Sequence, residues 1–130
     1  MLELYVGGYA QGKLEYVRGK SRKPLFVIDC GNTGLPFPEV PEGQIPVLNH
    51  FHLLVKNQVA RKEMTEEQIR QLPEKYPDCV IVSDEVGNGI VPMEKGQREY
   101  RETLGRILIE LAKKADRVER VVCGLGQRIK

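Results

Sequence analysis

The residues Gly7-Gly8-Tyr9-Ala10-Gln11-Gly12-Lys13-Leu14 follow directly on an apolar run, residues 2–6, and precede a short helical pattern. They satisfy G-x-x-x-x-G-K, the spacing of a phosphate-binding loop, except that Leu14 stands where Ser or Thr would be. Glycines let backbone N–H groups turn inward around an anion, the helix that follows points its positive end there, and Lys13 adds a full charge. On this basis Gly7, Gly8, Tyr9, Ala10, Gln11, Gly12, Lys13 and Leu14 are the candidate nucleotide-binding residues, with Lys13 reaching the β- and γ-phosphates. The absent hydroxyl normally ligates the Mg²⁺ that bridges the transferring phosphates, and leucine cannot coordinate a metal. The same residues also read as a glycine-rich strand-to-helix turn with a solvated lysine.

A second group lies where another apolar run, residues 79–83, meets Asp84 and Glu85 and then a glycine-broken stretch, Val86-Gly87-Asn88-Gly89-Ile90-Val91-Pro92. Ligands of open parallel sheets bind beyond the carboxyl ends of strands, so both acids are expected in the crevice that holds the phosphate loop. The alternative is that they cap the next turn. His50 and His52 form an H-x-H pair that would share a face in a strand. No partner with metal-ligand spacing accompanies them, so they read as partly buried histidines. Arg98, Arg101 and Arg106 could bring guanidinium groups to phosphates, or equally form a solvated helix face.

Five apolar runs, residues 2–6, 25–30, 45–51, 79–83 and 118–123, alternate with helical patterns. The third is the least strand-like, because it runs straight into a helical pattern over residues 53–62. Thr65-Glu66-Glu67-Gln68 reads as a capping box opening a helix that ends before Pro73. Tyr100, Leu104, Ile107, Leu108, Leu111 and Ala115 form an apolar stripe at helical spacing, and a first short helix over residues 13–18 should stop at Gly19. This alternation predicts a single α/β domain over residues 1–130, three layers thick, with a mainly parallel sheet of about five strands. Residues 31–43, with three prolines and three glycines, leave no room for a regular element.

The 130 residues carry twenty Lys and Arg against eighteen Asp and Glu, a net charge of +2. That balance, with no Trp and few aromatics, argues against nucleic acid as partner. No apolar stretch approaches the ~20 residues of a membrane span, and the N-terminus enters a strand-like run with no leader pattern. Cys30, Cys79 and Cys123 are odd in number and far apart, and read as reduced, mostly buried thiols. The expected compartment is the cytoplasm.

The stretch Ser83-Asp84-Glu85-Val86-Gly87-Asn88-Gly89-Ile90-Val91-Pro92 resembles the signature of the adenosylcobinamide kinase / adenosylcobinamide-phosphate guanylyltransferase family of cobalamin biosynthesis. The likeness continues through Arg98, Arg101, Gly105-Arg106 and Val121-Val122-Cys123-Gly124-Leu125-Gly126-Gln127-Arg128-Ile129-Lys130, and Val6-Gly7-Gly8 with Gly12-Lys13 match the family's phosphate loop. The resemblance implies a P-loop fold, a purine nucleotide (ATP or GTP) as phosphoryl donor, a cobinamide-type acceptor, a cytoplasmic role in corrinoid salvage and a homo-oligomer, often a trimer. It implies Lys13, Asp84 and Glu85 as the catalytic set. The family's acidic metal ligand at the end of a central strand falls on Asn49 if residues 45–51 are that strand, aligned through Asn57. It falls on Asp29 if residues 25–30 are; the first alignment keeps the strands in order, and Asp29 stays the candidate metal ligand. The family's guanylylated histidine lies after the second strand, where residues 31–43 contain none. A kinase-like protein without the guanylyltransferase step is therefore expected, and a non-catalytic nucleotide- or corrinoid-binding protein is the alternative.

Overall fold

The computed structural model describes residues 1–85 and 94–130. The glycine-broken stretch from Val86 to Pro92, singled out above, lies outside the described residues. The described elements are β1 (Leu2–Gly7), α1 (Lys13–Lys20), β2 (Leu25–Asp29), β3 (Ile45–Asn49), α2 (Phe51–Arg61), α3 (Glu66–Gln71) with a 3₁₀ turn (Leu72–Lys75), β4 (Cys79–Asp84), α4 (Lys95–Lys114), β5 (Arg117–Val122) and β6 (Leu125–Arg128).

The strands form one sheet in the order β2-β3-β4-β1-β5-β6. All neighbours pair in parallel except β6, which runs antiparallel to β5. The mainly parallel α/β architecture agrees with the sequence pattern, and the strand count is corrected from about five to six. The extra strand follows a two-residue turn in which Cys123 (φ 50°) and Gly124 (φ 74°) are both left-handed. A tight hairpin needs positive φ at both positions, and Cys-Gly does not advertise it as Asn-Gly would. Cys123 is consequently exposed, not buried as its apolar flank suggested. Cys30 and Cys79 are buried, and burial pushes both thiols up to about 12.

Helices cover both faces of the sheet. Leu4, Val6, Ile28, Leu48 and Ile81 pack with Phe51, Leu54 and Val55 of α2 and Leu104, Ile107 and Leu111 of α4. On the other face Tyr5, Val47, Val80, Val82 and Val121 pack with Val17, Leu14 and Tyr16 of α1. Near-continuous apolar strands follow from this two-sided burial. The odd strand is β3, which carries Pro46 yet lies inside the sheet. Its pairing with β4 involves only Val47 and Leu48, just past the residue that has no N–H to give.

Local signals set most boundaries. The Thr65 hydroxyl accepts from the Gln68 N–H at 3.1 Å, and the Gln68 side chain accepts from the Thr65 N–H at 2.8 Å, closing the expected capping box. Helix α1 runs on through Gly19 to Lys20, because a lone glycine costs a helix only about 1 kcal/mol. Residues 31–43 contain no helix or strand. No helix among the described residues is long and apolar enough to cross a membrane.

A buried carboxylate ties the C-terminal hairpin to α1. Glu119 is only 2% exposed. It accepts hydrogen bonds from Lys20, from the Tyr16 hydroxyl at 2.6 Å and from the Arg117 guanidinium at 2.6 Å. Burial alone would raise its pKa, but those hydrogen bonds and the Lys20 charge prevail and hold it at about 2. Gly126 of β6 is required here: a Cβ on it would lie 2.2 Å from the Tyr16 ring and 2.7 Å from the Glu119 carboxylate. The folded-state value of Glu119 lies below its ordinary 4.5. Its contribution is therefore complete above pH 4.5 and is lost as pH falls toward 2. Glu119→Gln should cost about 2–3 kcal/mol at pH 7 and flatten that acid limb, both measured by denaturant titration across pH. Gly126→Ala should destabilise the fold by about 1–3 kcal/mol through overpacking, with loss of the Tyr16–Glu119 contact visible in tyrosine resonances.

Candidate functional site

Strands β1 and β4 are neighbours, yet the helix after β1 packs on one face and the helix after β4 on the other. Such a divergence opens a crevice at the carboxyl ends of the two strands. A cavity of about 660 Å³ lies there, lined by Tyr9 through Glu15, by Asn49, His50, His52 and Leu53, and by Val82 and Asp84.

The glycine-rich turn forms one wall. Gly7, the last residue of β1, sits so close to β5 that a Cβ would come within 2.4 Å of the Val121 carbonyl oxygen. Gly12 caps α1 with φ 78°, a left-handed conformation that suits glycine, and no side chain caps the helix. Its first N–H groups are thus left for a ligand or solvent. Gln11 anchors the turn from outside: its side-chain oxygen accepts from the Cys123 N–H at 2.7 Å and its carbonyl from the Gly124 N–H at 2.8 Å. The C-terminal hairpin is therefore the brace of the loop. Nothing in the sequence joins Gln11 to residues 112 or more positions away, and this partnership was not legible there.

Lys13 is only 7% exposed. Its ammonium donates to the Gly8 carbonyl oxygen at 2.7 Å and pairs with Asp84 Oδ1 at 2.7 Å. A solvated lysine on a bland turn is not what the chain has built. Asp84 is gripped from its other side by His52, whose Nδ1 accepts the Asp84 backbone N–H at 3.1 Å while Nε2 lies 3.4 Å from Oδ2. Burial holds the His52 pKa below its ordinary value despite the pull of Asp84, so the ring is neutral, with its proton on Nε2 facing the carboxylate. On α4, burial and the Asp84 charge push the Tyr100 hydroxyl up to about 12, keeping it neutral.

Other expected site residues are dispersed. Glu85 does not share the crevice with Asp84: its carboxylate pairs with Arg120 of β5 at 3.3 Å, since successive side chains on an extended backbone point to opposite sides. The histidines are not a strand pair. His50 is the left-handed residue (φ 56°) joining β3 to α2, and His52 lies in the first turn of α2, with their rings edge to face at 5.7 Å. His50 Nδ1 lies 3.3 Å from Asp29 Oδ1. Asp29 also accepts from the Gly31 N–H and the Asn32 amide. Burial would raise its pKa, but these donors lower it overall. Asp29 ends β2, pairs in register with Asn49 and is not among the residues that line the cavity. Arg106 reaches Glu66 on α3 at 3.0 Å, a contact between helices and not with the crevice.

The cavity wall offers few oxygen ligands for a Mg²⁺ ion. Leu14 is hydrocarbon, Asn49 offers only an amide, and the Asp84 carboxylate already meets Lys13 and His52. Among the described residues no three His, Cys, Asp or Glu side chains cluster as a metal site. Mg²⁺ at a nucleotide site takes one or two protein oxygens, with waters and phosphate oxygens completing its octahedron; the carboxylates lining this cavity are Asp84, already engaged, and Glu15 in the first turn of α1.

The family model for cobinamide kinase / cobinamide phosphate guanyltransferase matches residues 44–129, about two thirds of the chain. The bifunctional adenosylcobalamin biosynthesis protein CobU of Salmonella typhimurium (strain LT2) is 47% identical over 51 residues, covering 39% of this chain and 28% of that protein. The protein of the same name from Escherichia coli (strain K12) is 45% identical over 51 residues with the same coverage. The matched stretch thus spans little more than a quarter of the length of these curated relatives. The matched residues include β3, His50, His52, Asp84 and the hairpin that braces the glycine-rich turn, whereas Lys13 precedes them. With a family model matched over two thirds of its length, the chain belongs to the cobinamide kinase / cobinamide phosphate guanyltransferase family.

Proposed function

We propose that the cavity binds a purine nucleoside triphosphate, ATP or GTP, in a P-loop formed by Gly7 to Leu14, and that the chain transfers a phosphoryl group to a cobinamide-type hydroxyl. The observation that carries this reading is the buried Lys13 ammonium beside the uncapped start of α1, at the carboxyl ends of β1 and β4. Buried cations at a helix N-terminus suit phosphate groups. The Tyr9 ring, 86% exposed on the cavity rim, supplies an apolar face for a purine. In-line phosphoryl transfer requires mainly positioning and charge stabilisation, for which Lys13 and Asp84 are the candidate catalytic residues. Glu85, tied to Arg120, supports the strand end and not the reacting groups.

Guanylyl transfer is not part of this proposal, because residues 31–43 offer no histidine for the segment that carries it in the family. Cytoplasmic location and a homo-oligomer, a trimer by resemblance, complete the reading, with no nucleic acid or membrane partner. A second reading is a nucleotide- or corrinoid-binding protein without turnover. It is favoured by Leu14 and by the engagement of Asp84 with Lys13, which together leave the wall poor in metal ligands.

Lys13→Ala should abolish ATP and GTP binding in calorimetry, and an affinity within about twofold of wild type would reject the nucleotide site. Leu14 predicts affinities that differ by less than about tenfold with and without Mg²⁺. Phosphorylation of cobinamide above the Lys13→Ala background separates the kinase from the binding protein. Incubation with α-labelled GTP should leave no label on the chain.

A further inference from the structure

Lys13 is held before any ligand arrives. Two of its three ammonium protons are engaged, one by the Gly8 carbonyl oxygen and one by Asp84 Oδ1, both at 2.7 Å. The carboxylate thus occupies a place on Lys13 that a phosphate oxygen would take. His52 orients Asp84: its Nδ1 accepts the Asp84 backbone N–H, and its Nε2 lies 3.4 Å from Oδ2. The charged groups lining the cavity, among the described residues, are Lys13, Asp84 and Glu15, a balance of one cation against two carboxylates. The attraction of Lys13 for a lone small anion is partly met in advance by its internal partner.

From this geometry we propose that Asp84, oriented by His52, is the selectivity element of the site: an internal counter-ion that Lys13 gives up only to a chain of linked phosphates. A polyphosphate gains from the α1 N-terminus and the loop amides as well as from Lys13, and so offsets the broken ion pair. Orthophosphate or sulfate cannot reach all of them at once. The ligand class is therefore diphosphate and longer, free or on a nucleoside. This deepens the nucleotide reading above and rests on it.

Calorimetry with sodium pyrophosphate and sodium orthophosphate, on the wild-type chain, Asp84→Asn, Lys13→Ala and the double variant, tests it. Wild type should bind pyrophosphate and reject orthophosphate. Asp84→Asn, which keeps the shape and removes the charge, should tighten orthophosphate by about tenfold or more and narrow the preference. The double variant should lose that gain, because the gain acts through Lys13. Orthophosphate affinity in Asp84→Asn within about twofold of wild type overturns the counter-ion role, while Lys13→Ala still losing pyrophosphate keeps the nucleotide site. Lys13→Ala binding pyrophosphate like wild type would remove both. If Asp84→Asn does not fold, carboxyl carbon resonances of the wild-type chain decide. Pyrophosphate should move the Asp84 carboxyl and Lys13 ammonium signals together, and an unmoved Asp84 signal beside a shifted Lys13 signal overturns the proposal.

Discussion

The ion pair between Lys13 and Asp84 is the contact around which the crevice is organised. An ammonium as buried as that of Lys13 is costly without a partner. Its two acceptors come from the turn after β1 and from the end of β4, so the pair joins the two strands where their connections diverge. The parallel register of Gly7 with Asp84 brings the lysine and the carboxylate to one level of the sheet. His52 completes the arrangement by fixing residue 84 at both its backbone and its side chain. The cavity is the space left above this set of contacts.

A second buried charge does comparable work at the other end of α1. Glu119 gathers Lys20, Tyr16 and Arg117, and the Lys20 ammonium also lies 5.0 Å from the Tyr5 ring centroid. Helix α1 is thereby held at its first residue by β4 and at its last by β5. The hairpin closes the remaining side, through Gln11 against Cys123 and Gly124 and through the absence of a side chain at Gly126. A glycine-rich turn has little stiffness of its own. Here its shape is set by neighbours far away in sequence, and the C-terminal residues that carry the family likeness serve as that scaffold.

Much of the architecture is written in local pattern. Apolar runs separated by helical stripes specify parallel strands covered on both sides, and the capping box at Thr65 and the proline after α3 place their boundaries to within a residue. These signals are legible because they act between residues a few positions apart. The glycine-rich turn and Lys13 are legible for the same reason. Misplaced expectations arose where two local rules competed or where the partner was distant. Asp84 and Glu85 are adjacent in sequence but point apart. The H-x-H pair lies past the end of β3, astride the start of α2, so strand alternation does not govern it. Cys123 follows an apolar run but occupies the tip of a tight hairpin.

The sequence by itself determined the class of fold, the position of the glycine-rich turn after the first strand and the family to which the later two thirds belong. Its reach ended at the roles of individual polar residues. Only the tertiary structure decided that Asp84 and not Glu85 faces Lys13, that His52 holds Asp84, that Asp29 is drawn to His50, and that Gln11 is braced by the last hairpin. The physical reason is that hydrogen bonds and ion pairs depend on distances of about 3 Å, which strand order and crossover direction set. A pattern of residue types specifies the elements, and it is their packing that brings particular atoms within reach.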